Sequence, residues 1–505
     1  MRKQKSFKNF LTSIFPYFVL VLLGFFRVKV LIGNLGDEIY AINQLFYQIF
    51  VYISLAEAGA GTYIVQMYYK YFAKNDKGSV IAIYKSSKKF FSRIAIIVLA
   101  VGLAISFGLK LFTNNSLSLL YMQIVFILFV LKNIVEYLML APKYVIEADQ
   151  KSYVINLRFY GFRILEYIVD IVLLSLGFDY VVILIGEIIM RFLTYLVTDH
   201  KVFKEYPWLK GDTSKVIPIK GISNMLWHRI SEAIHYNTDI IISSSFLSPF
   251  FVTVYSSYNY ITKYLTDATD MVITSMSSSF GNVLYKEDRN NVIRIFEELN
   301  IFFFFIAAFL STMVMILSNS FVNVWIGGRY CISTIVLVIF VLNFFIVVAR
   351  KPVNMFRTSN GLFKETKVIV MCEAIINLIL SILLVVRFKL LGILLATLIS
   401  MVFTTCWYVP RYIYRNCLKI SPWKYYVKFF AFISLSILVG LTGKYCLSMI
   451  NVDNIFIWIV VALGFSVVVG GLYFGVCYIF FDDFKNITKK MLSLVFHINK
   501  REKAV

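Results

Sequence analysis

Proline is scarce, at 8 residues in 505, and charged residues make up only 15% of the chain. So few prolines leave long helices uninterrupted, and so few charges leave too little polar surface to keep a chain of this size in water. Cysteine is sparse and scattered. Cys331, Cys372, Cys406, Cys417, Cys446 and Cys477 lie in or beside apolar runs with no C-x-x-C pair, which argues against a disulfide framework or a zinc site. They read as small apolar residues. The phosphate-binding glycine loop of nucleotide hydrolases is also missing. Gly59-x-Gly61 sits in an apolar helix and lacks a third glycine and a flanking strand. No Ser/His/Asp constellation and no H-E-x-x-H occurs, so no catalytic residue, cofactor or metal ligand is nominated.

What the chain has is hydrocarbon. It is 59% hydrophobic, with 48 Phe and 33 Tyr, and runs of about twenty apolar residues, each long enough to cross a bilayer, recur along its length. The fold class is therefore all-α and polytopic. Candidate spans are 9–32, 40–68, 90–112, 117–141, 153–176, 179–198, 222–246, 250–279, 298–320, 331–355, 366–387, 390–414, 425–449 and 455–481, about 14 transmembrane helices.

The net charge of +22 would point toward nucleic acid in a soluble protein. Here the cations crowd alternate loops, as the positive-inside rule requires, and they also suit contact with anionic lipid. Lys70, Lys74, Lys77, Lys85 and Lys88 share one such loop, and Lys201, Lys204, Lys210, Lys215 and Lys220 another. The basic start, MRKQKSFKNF, runs straight into an apolar segment without a small-residue cleavage site, so a retained first helix is expected. Both termini are predicted cytoplasmic.

The chain also repeats itself. Asp76-Lys77-x-x-Val80-Ile81-x-Ile83-Tyr84 returns as Asp288-Arg289-x-x-Val292-Ile293-x-Ile295-Phe296. Pro142 and Gln150 return as Pro352 and Asn360, and Glu166-x-x-x-Asp170 as Glu373-x-x-x-Asn377, with offsets of about 207–216 throughout. These echoes predict two parallel six-helix repeats, 1–198 and 222–414. A cytoplasmic linker, 199–221, joins them, and two additional helices with a basic tail follow over 415–505.

Two stretches are too polar for their surroundings. His228, Glu232, His235 and Asp239 recur at spacings of four, three and four, and Lys263, Asp267 and Asp270 at four and three, so each set falls on one helix face. Ionisable stripes in a membrane chain imply a wet interior through which something passes. The first stripe is too long for one metal site, spanning about 16 Å at the α-helical rise, and a cavity lining is the expected role.

At this point the sequence resembles the Wzx-type flippases of lipid-linked polysaccharide repeat units, within the multidrug/oligosaccharidyl-lipid/polysaccharide exporter superfamily. The residues that carry this are Phe15-Pro16-Tyr17, Arg27, Leu31-Ile32-Gly33-Asn34-Leu35-Gly36-Asp37-Glu38-x-Tyr40 and Glu57-x-Gly59 in the first half. In the second they are Asp239-Ile240-Ile241-Ile242-Ser243, Tyr255-Ser256-x-Tyr258, Asn360-Gly361-Leu362-Phe363-Lys364, Glu373-x-x-x-Asn377 and Gly392-Ile393-Leu394-x-Ala396-Thr397. Their order and spacing over nearly the whole chain carry the likeness. The run Arg27-Val28-Lys29-Val30 departs from the family's usual Arg-hydrophobic-Leu-Gly.

The resemblance implies a V-shaped pair of bundles around a central cavity, alternating between inward- and outward-open states in a bacterial cytoplasmic (inner) membrane. The implied substrate is an undecaprenyl-pyrophosphate-linked glycan, flipped for capsule, O-antigen or exopolysaccharide assembly, with membrane lipids and other assembly proteins as partners. A pyrophosphate crossing about 30 Å of hydrocarbon needs Arg or Lys to pair with its oxygens. Arg27, Lys29, Arg163, His228, His235 and Lys263 are the candidates, and Arg163 and Lys263 each have an acidic helix neighbour, Glu166 and Asp267. Glu57, Glu232, Asp239 and Asp267 are candidates for coupling transport to a proton or sodium gradient. The alternative is a drug or organic-cation antiporter of the same superfamily. A membrane polymerase or ligase would need a catalytic outer loop longer than any here. A purely structural role leaves the polar stripes unexplained.

Overall fold

The computed structural model describes residues 2–57, 59–213, 215, 217–219 and 238–490, and among these the chain is helical with no strand. The helices are α1 (Arg2–Ser54), α2 (Ala60–Ala73), α3 (Lys77–Ser106), α4 (Leu119–Ala148), α5 (Tyr153–Ser175), α6 (Tyr180–Glu205), α7 (Pro249–Lys286), α8 (Arg289–Trp325), α9 (Thr334–Ala349), α10 (Lys351–Ser359), α11 (Phe363–Phe403), α12 (Thr405–Tyr412), α13 (Trp423–Leu447) and α14 (Ile455–Phe480). Residues 238–246 and 482–490 are also helical.

Among the described residues, nine helices are long and apolar enough to cross a membrane. Two of these are double. Phe15–Ser54 breaks at Gly36, and Phe363–Cys417 breaks at Lys389. Helices α5 and α7, of 23 and 38 residues, are long enough but carry polar stripes. The described residues form about fourteen helices in all.

The chain divides into two compact units, Met1–Thr253 and Val254–Val505. In the first, α1 packs along α5, α3 along α4, and α6 against both α4 and α5. In the second, α8 is the hub, with α9, α13 and α14 all packed against it and α11 against α9. Phe296, Phe303, Phe304, Ala307 and Ala308 of α8 are fully buried. Helix α14 is the opposite: Val460, Leu463, Val467 and Val468 are exposed, as suits a helix whose outer face meets lipid tails.

Two helices differ from the sequence expectation. The span expected over 40–68 is interrupted by a 3₁₀ turn at Leu55–Glu57 and by Gly59, whose φ of +81° opens α2. The span expected from residue 90 begins at Lys77 instead. Its early turns lie outside the apolar stretch but bury Val80, Ile81 and Ile83, and the helix packs against the Pro207–Lys210 turn. Hydropathy registers only the apolar part of such a helix.

Two of the echoed residues stand at helix starts. Asp76 caps α3, accepting from the Ser79 N–H at 3.0 Å, and Asp288 is the N-cap residue of α8. The α5–α6 turn passes through Gly177 at φ +80°, and the break in α11 falls 212 residues later, on Lys389 at φ +51°. The two prolines differ in effect. Pro142 lies inside an unbroken α4, whereas Pro352 opens α10 just after α9 ends.

Candidate functional site

Three helices of the first unit carry charges at three- and four-residue spacings, and a fourth adds a single arginine. Helix α4 has Lys132 and Glu136, α5 has Arg163, Glu166 and Asp170, α6 has Glu187 and Arg191, and α1 has Arg27. Such spacing keeps each set on one face, and the packing of α1 on α5 and of α6 on α4 and α5 turns the faces inward.

They form two ion-pair clusters within electrostatic reach of each other, together one charged network. Arg27 Nε donates to Asp170 Oδ2 at 2.6 Å, and its Nη2 to Glu187 Oε1 at 2.5 Å. Lys132 Nζ takes the other oxygen of Glu187 at 2.7 Å. Arg163 donates to Glu166 at 3.1 Å and also pairs with Glu136. Arg191 Nη1 reaches Glu136 at 2.6 Å and the Asn133 side-chain oxygen at 3.2 Å, and its Nε lies 3.5 Å from Glu166. Aromatic faces close the cluster, with the Arg27 guanidinium 5.6 Å from the Tyr167 ring and Lys132 Nζ 4.4 Å from that of Phe129.

Four cations meet four carboxylates, and the balance is local as well as total. Charges taken out of water in this number persist only when paired and hydrogen-bonded. The network is dry at one end and open at the other. The Asp170 side chain is 1% exposed and that of Glu136 36%. The open end is Glu136 with Arg163.

The second unit holds a thinner version. Glu373 accepts from the Thr404 hydroxyl at 3.2 Å and from Thr405, and lies 3.9 Å from Arg350 Nη1. Asn377 donates to Thr397 at 3.0 Å. Asp270, on the polar stripe of α7, meets a cation the sequence reading did not name: Lys351 Nζ, 2.5 Å away and also donating to the Thr266 carbonyl at 2.9 Å.

The residues nominated from sequence are distributed unevenly. Arg27 and Arg163 belong to the network, and Arg163 has the helix partner its spacing implies plus a second one on α4. Lys29 and Lys263 are exposed, Asp267 is half-buried, and Glu57 lies in the 3₁₀ turn between α1 and α2. Asp239 is nearly fully buried. His228, Glu232 and His235 lie outside the described residues. Lys132, Glu136, Glu187 and Arg191 escaped sequence reasoning. The test that found the stripes in 222–279 would have found Lys132/Glu136 and Glu187/Arg191, each pair four apart. Among the described residues no cluster of His, Cys, Asp or Glu could hold a metal ion.

No protein-family model matches the sequence, and neither does any curated protein. Solved structures do match the fold. The lipid II flippase MurJ, in an inward closed conformation, superimposes with a TM-score of 0.66 at 15% identity, covering 92% of this chain and 98% of that one. The MATE multidrug transporter DinF-BH, solved as a ligand complex, gives 0.57 at 18% identity, covering 83% and 97%. An inward-facing multidrug resistance MATE family transporter of the MOP superfamily gives 0.55 at 12%, covering 85% and 94%. The chain is a multi-pass membrane protein with the fold of the MOP-superfamily transporters.

Proposed function

We propose that this protein is a flippase for lipid-linked glycans. It moves an undecaprenyl-pyrophosphate-linked oligosaccharide repeat unit from the inner to the outer leaflet of a bacterial cytoplasmic membrane by alternating access, for capsule, O-antigen or exopolysaccharide assembly. Both termini and the linker near Lys210 lie on the cytoplasmic side. The observation that carries the reading is four cations gathered inside one helical unit, in a fold shared over 98% of the length of a lipid II flippase.

The chemistry follows from desolvation. A pyrophosphate leaving water is stabilised by bidentate guanidinium contacts more than by any neutral donor. Arg163, at the open end of the network, releases Glu136 to meet a phosphate oxygen, and Glu136 keeps Arg191 as its partner. Lys263, exposed on α7 in the second unit, is a separate candidate for a phosphate contact. A second reading, an organic-cation antiporter, is favoured by the same network read for its acids: Glu136 at the open end would bind the cation. The fold is shared with MATE multidrug transporters as well.

Deleting the gene separates the two. Accumulation of lipid-linked repeat units in the inner leaflet, reversed by the intact gene but not by an Arg163→Ala copy, is the outcome expected here. Sensitivity to cationic dyes without such accumulation would hand the function to the antiporter.

A further inference from the structure

Within the second unit, α9, α11, α12 and α13 enclose an apolar groove of about 630 Å³. Leu398, Val402 and Cys406 line it from α11 and α12, and Trp407, Trp423 and Tyr426 ring it with aromatic surface. Two contacts fix its form. The Tyr426 hydroxyl donates to the Trp407 carbonyl at 2.5 Å, and the two rings stack at 5.1 Å. Trp423 is 68% and Phe403 75% exposed. Bare rings of this size do not line a water passage, so this face meets hydrocarbon.

The rim carries charge of one sign. Residues 407–427 hold four Lys or Arg, Arg411, Arg415, Lys419 and Lys424, and no Asp or Glu. The Arg411 guanidinium lies 5.2 Å from the Trp407 ring, and both Arg411 and Arg415 are within electrostatic reach of Tyr426. Arg415, Lys419 and Lys424 have exposed side chains. An apolar slot beneath a basic rim of this kind is complementary to one class of molecule, an anionic amphiphile.

We infer that this groove is a binding site for an anionic phospholipid, one acyl chain seated against Leu398 and Val402 and the phosphate held by the Arg411/Arg415/Lys424 rim. The occupant is a resident lipid of the bilayer. Its chain packs against the apolar lining, and its headgroup neutralises the exposed cations Arg415, Lys419 and Lys424. The site is separate from the charged network of the first unit and does not depend on what that network transports.

Native mass spectrometry of the full chain in detergent, titrated with phosphatidylglycerol or phosphatidylcholine, tests it. Phosphatidylglycerol is expected to be retained at least about tenfold better, since several cations near one headgroup each add to its binding. The triple variant Arg415→Gln/Lys419→Gln/Lys424→Gln, on exposed positions that leave the fold alone, should erase that preference. Leu398→Trp should reduce retention of both lipids with unchanged helical circular dichroism. Equal retention of the two lipids by the unaltered protein would overturn the inference. So would full retention by Leu398→Trp, or a polyprenyl chain as the species that co-purifies.

Discussion

Glu187 sits between two cations from different helices, with Arg27 Nη2 at 2.5 Å on one carboxylate oxygen and Lys132 Nζ at 2.7 Å on the other. All three side chains are buried or nearly so, and one carboxylate thus ties α1 and α4 to α6. Removing it leaves two cations competing for what remains, and breaking a buried pair in this way costs about 3–5 kcal/mol. Glu187→Gln should therefore lower the melting temperature of the purified protein by several degrees. Adding Lys132→Met should recover much of the loss, because it removes the orphaned charge. A Glu187→Gln protein that melts like the parent would show that the pairing does not hold the unit together.

Gly36 breaks α1 at φ +77°, ψ −177°, a region that only glycine enters freely. A Cβ there would meet nothing within 4 Å, so the strain is purely backbone. Gly36→Ala should destabilise by about 1–3 kcal/mol, read as a lower melting temperature without new protease sites elsewhere.

A second break lies within α11, where the φ is +51° and the residue is Lys389. A side chain in the left-handed region costs roughly 1–2 kcal/mol. Lys389→Gly should therefore raise stability by up to about 1 kcal/mol, the reverse of the usual glycine substitution in a helical chain. A fall in melting temperature would mean that the Lys389 side chain contributes more than its backbone costs.

For transport, Lys263→Ala should reduce export of lipid-linked repeat units by about one to two orders of magnitude without loss of membrane protein, the equivalent of one charge-assisted phosphate contact. Adding Asp267→Asn should not restore it. Recovery in the double variant would assign Lys263 to pairing within α7 and leave phosphate binding to Arg27 and Arg163.

Outside the membrane, Lys215 Nζ lies 2.9 Å from Asp76 Oδ2, and Lys85 pairs with Asp212, so two ion pairs tether the segment after α6 to α3. Hydrogen bonds from Ser79 and then Lys215 hold the Asp76 carboxyl well below its ordinary value, and Lys85 lowers that of Asp212. A depressed carboxylate contributes above its unfolded value of about 4 and loses that contribution as pH falls through the folded one. The tether should hold unchanged from pH 8 to pH 5 and weaken in more acidic solution or at high salt. Asp76→Asn should speed tryptic cleavage after Lys215 at neutral pH. Cleavage at the parent rate would show that the tether does not hold.

Much of this architecture is legible in the sequence because lipid imposes it. An apolar run of twenty residues has few alternatives to a helix, and the echoed Asp76 and Asp288 both stand at helix starts, Asp76 with a capping bond from the Ser79 N–H. The network was half legible. Arg27 and Arg163 stand out as lone arginines, whereas Lys132, Glu136, Glu187 and Arg191 sit in helices apolar enough to pass as plain spans. Their meaning arises only when α4 and α6 pack together, which no single helix encodes. The interruption at Leu55–Glu57 was hidden for the opposite reason: its residues are as helix-compatible as their neighbours, and Gly59 alone signals it.

The equality of positive and negative charges in the buried network of the first unit has an electrical consequence. A single charge carried across a membrane responds to the resting potential by about 2.3 kcal/mol per 100 mV. Arg27, Lys132, Arg163 and Arg191 moving together with Glu136, Glu166, Asp170 and Glu187 carry no net charge and feel almost none of it. A rocking motion that carries this network adds no gating charge from it. Any dependence of transport on membrane potential then comes from charges outside the network: the substrate, a coupled ion or other ionisable groups of the protein.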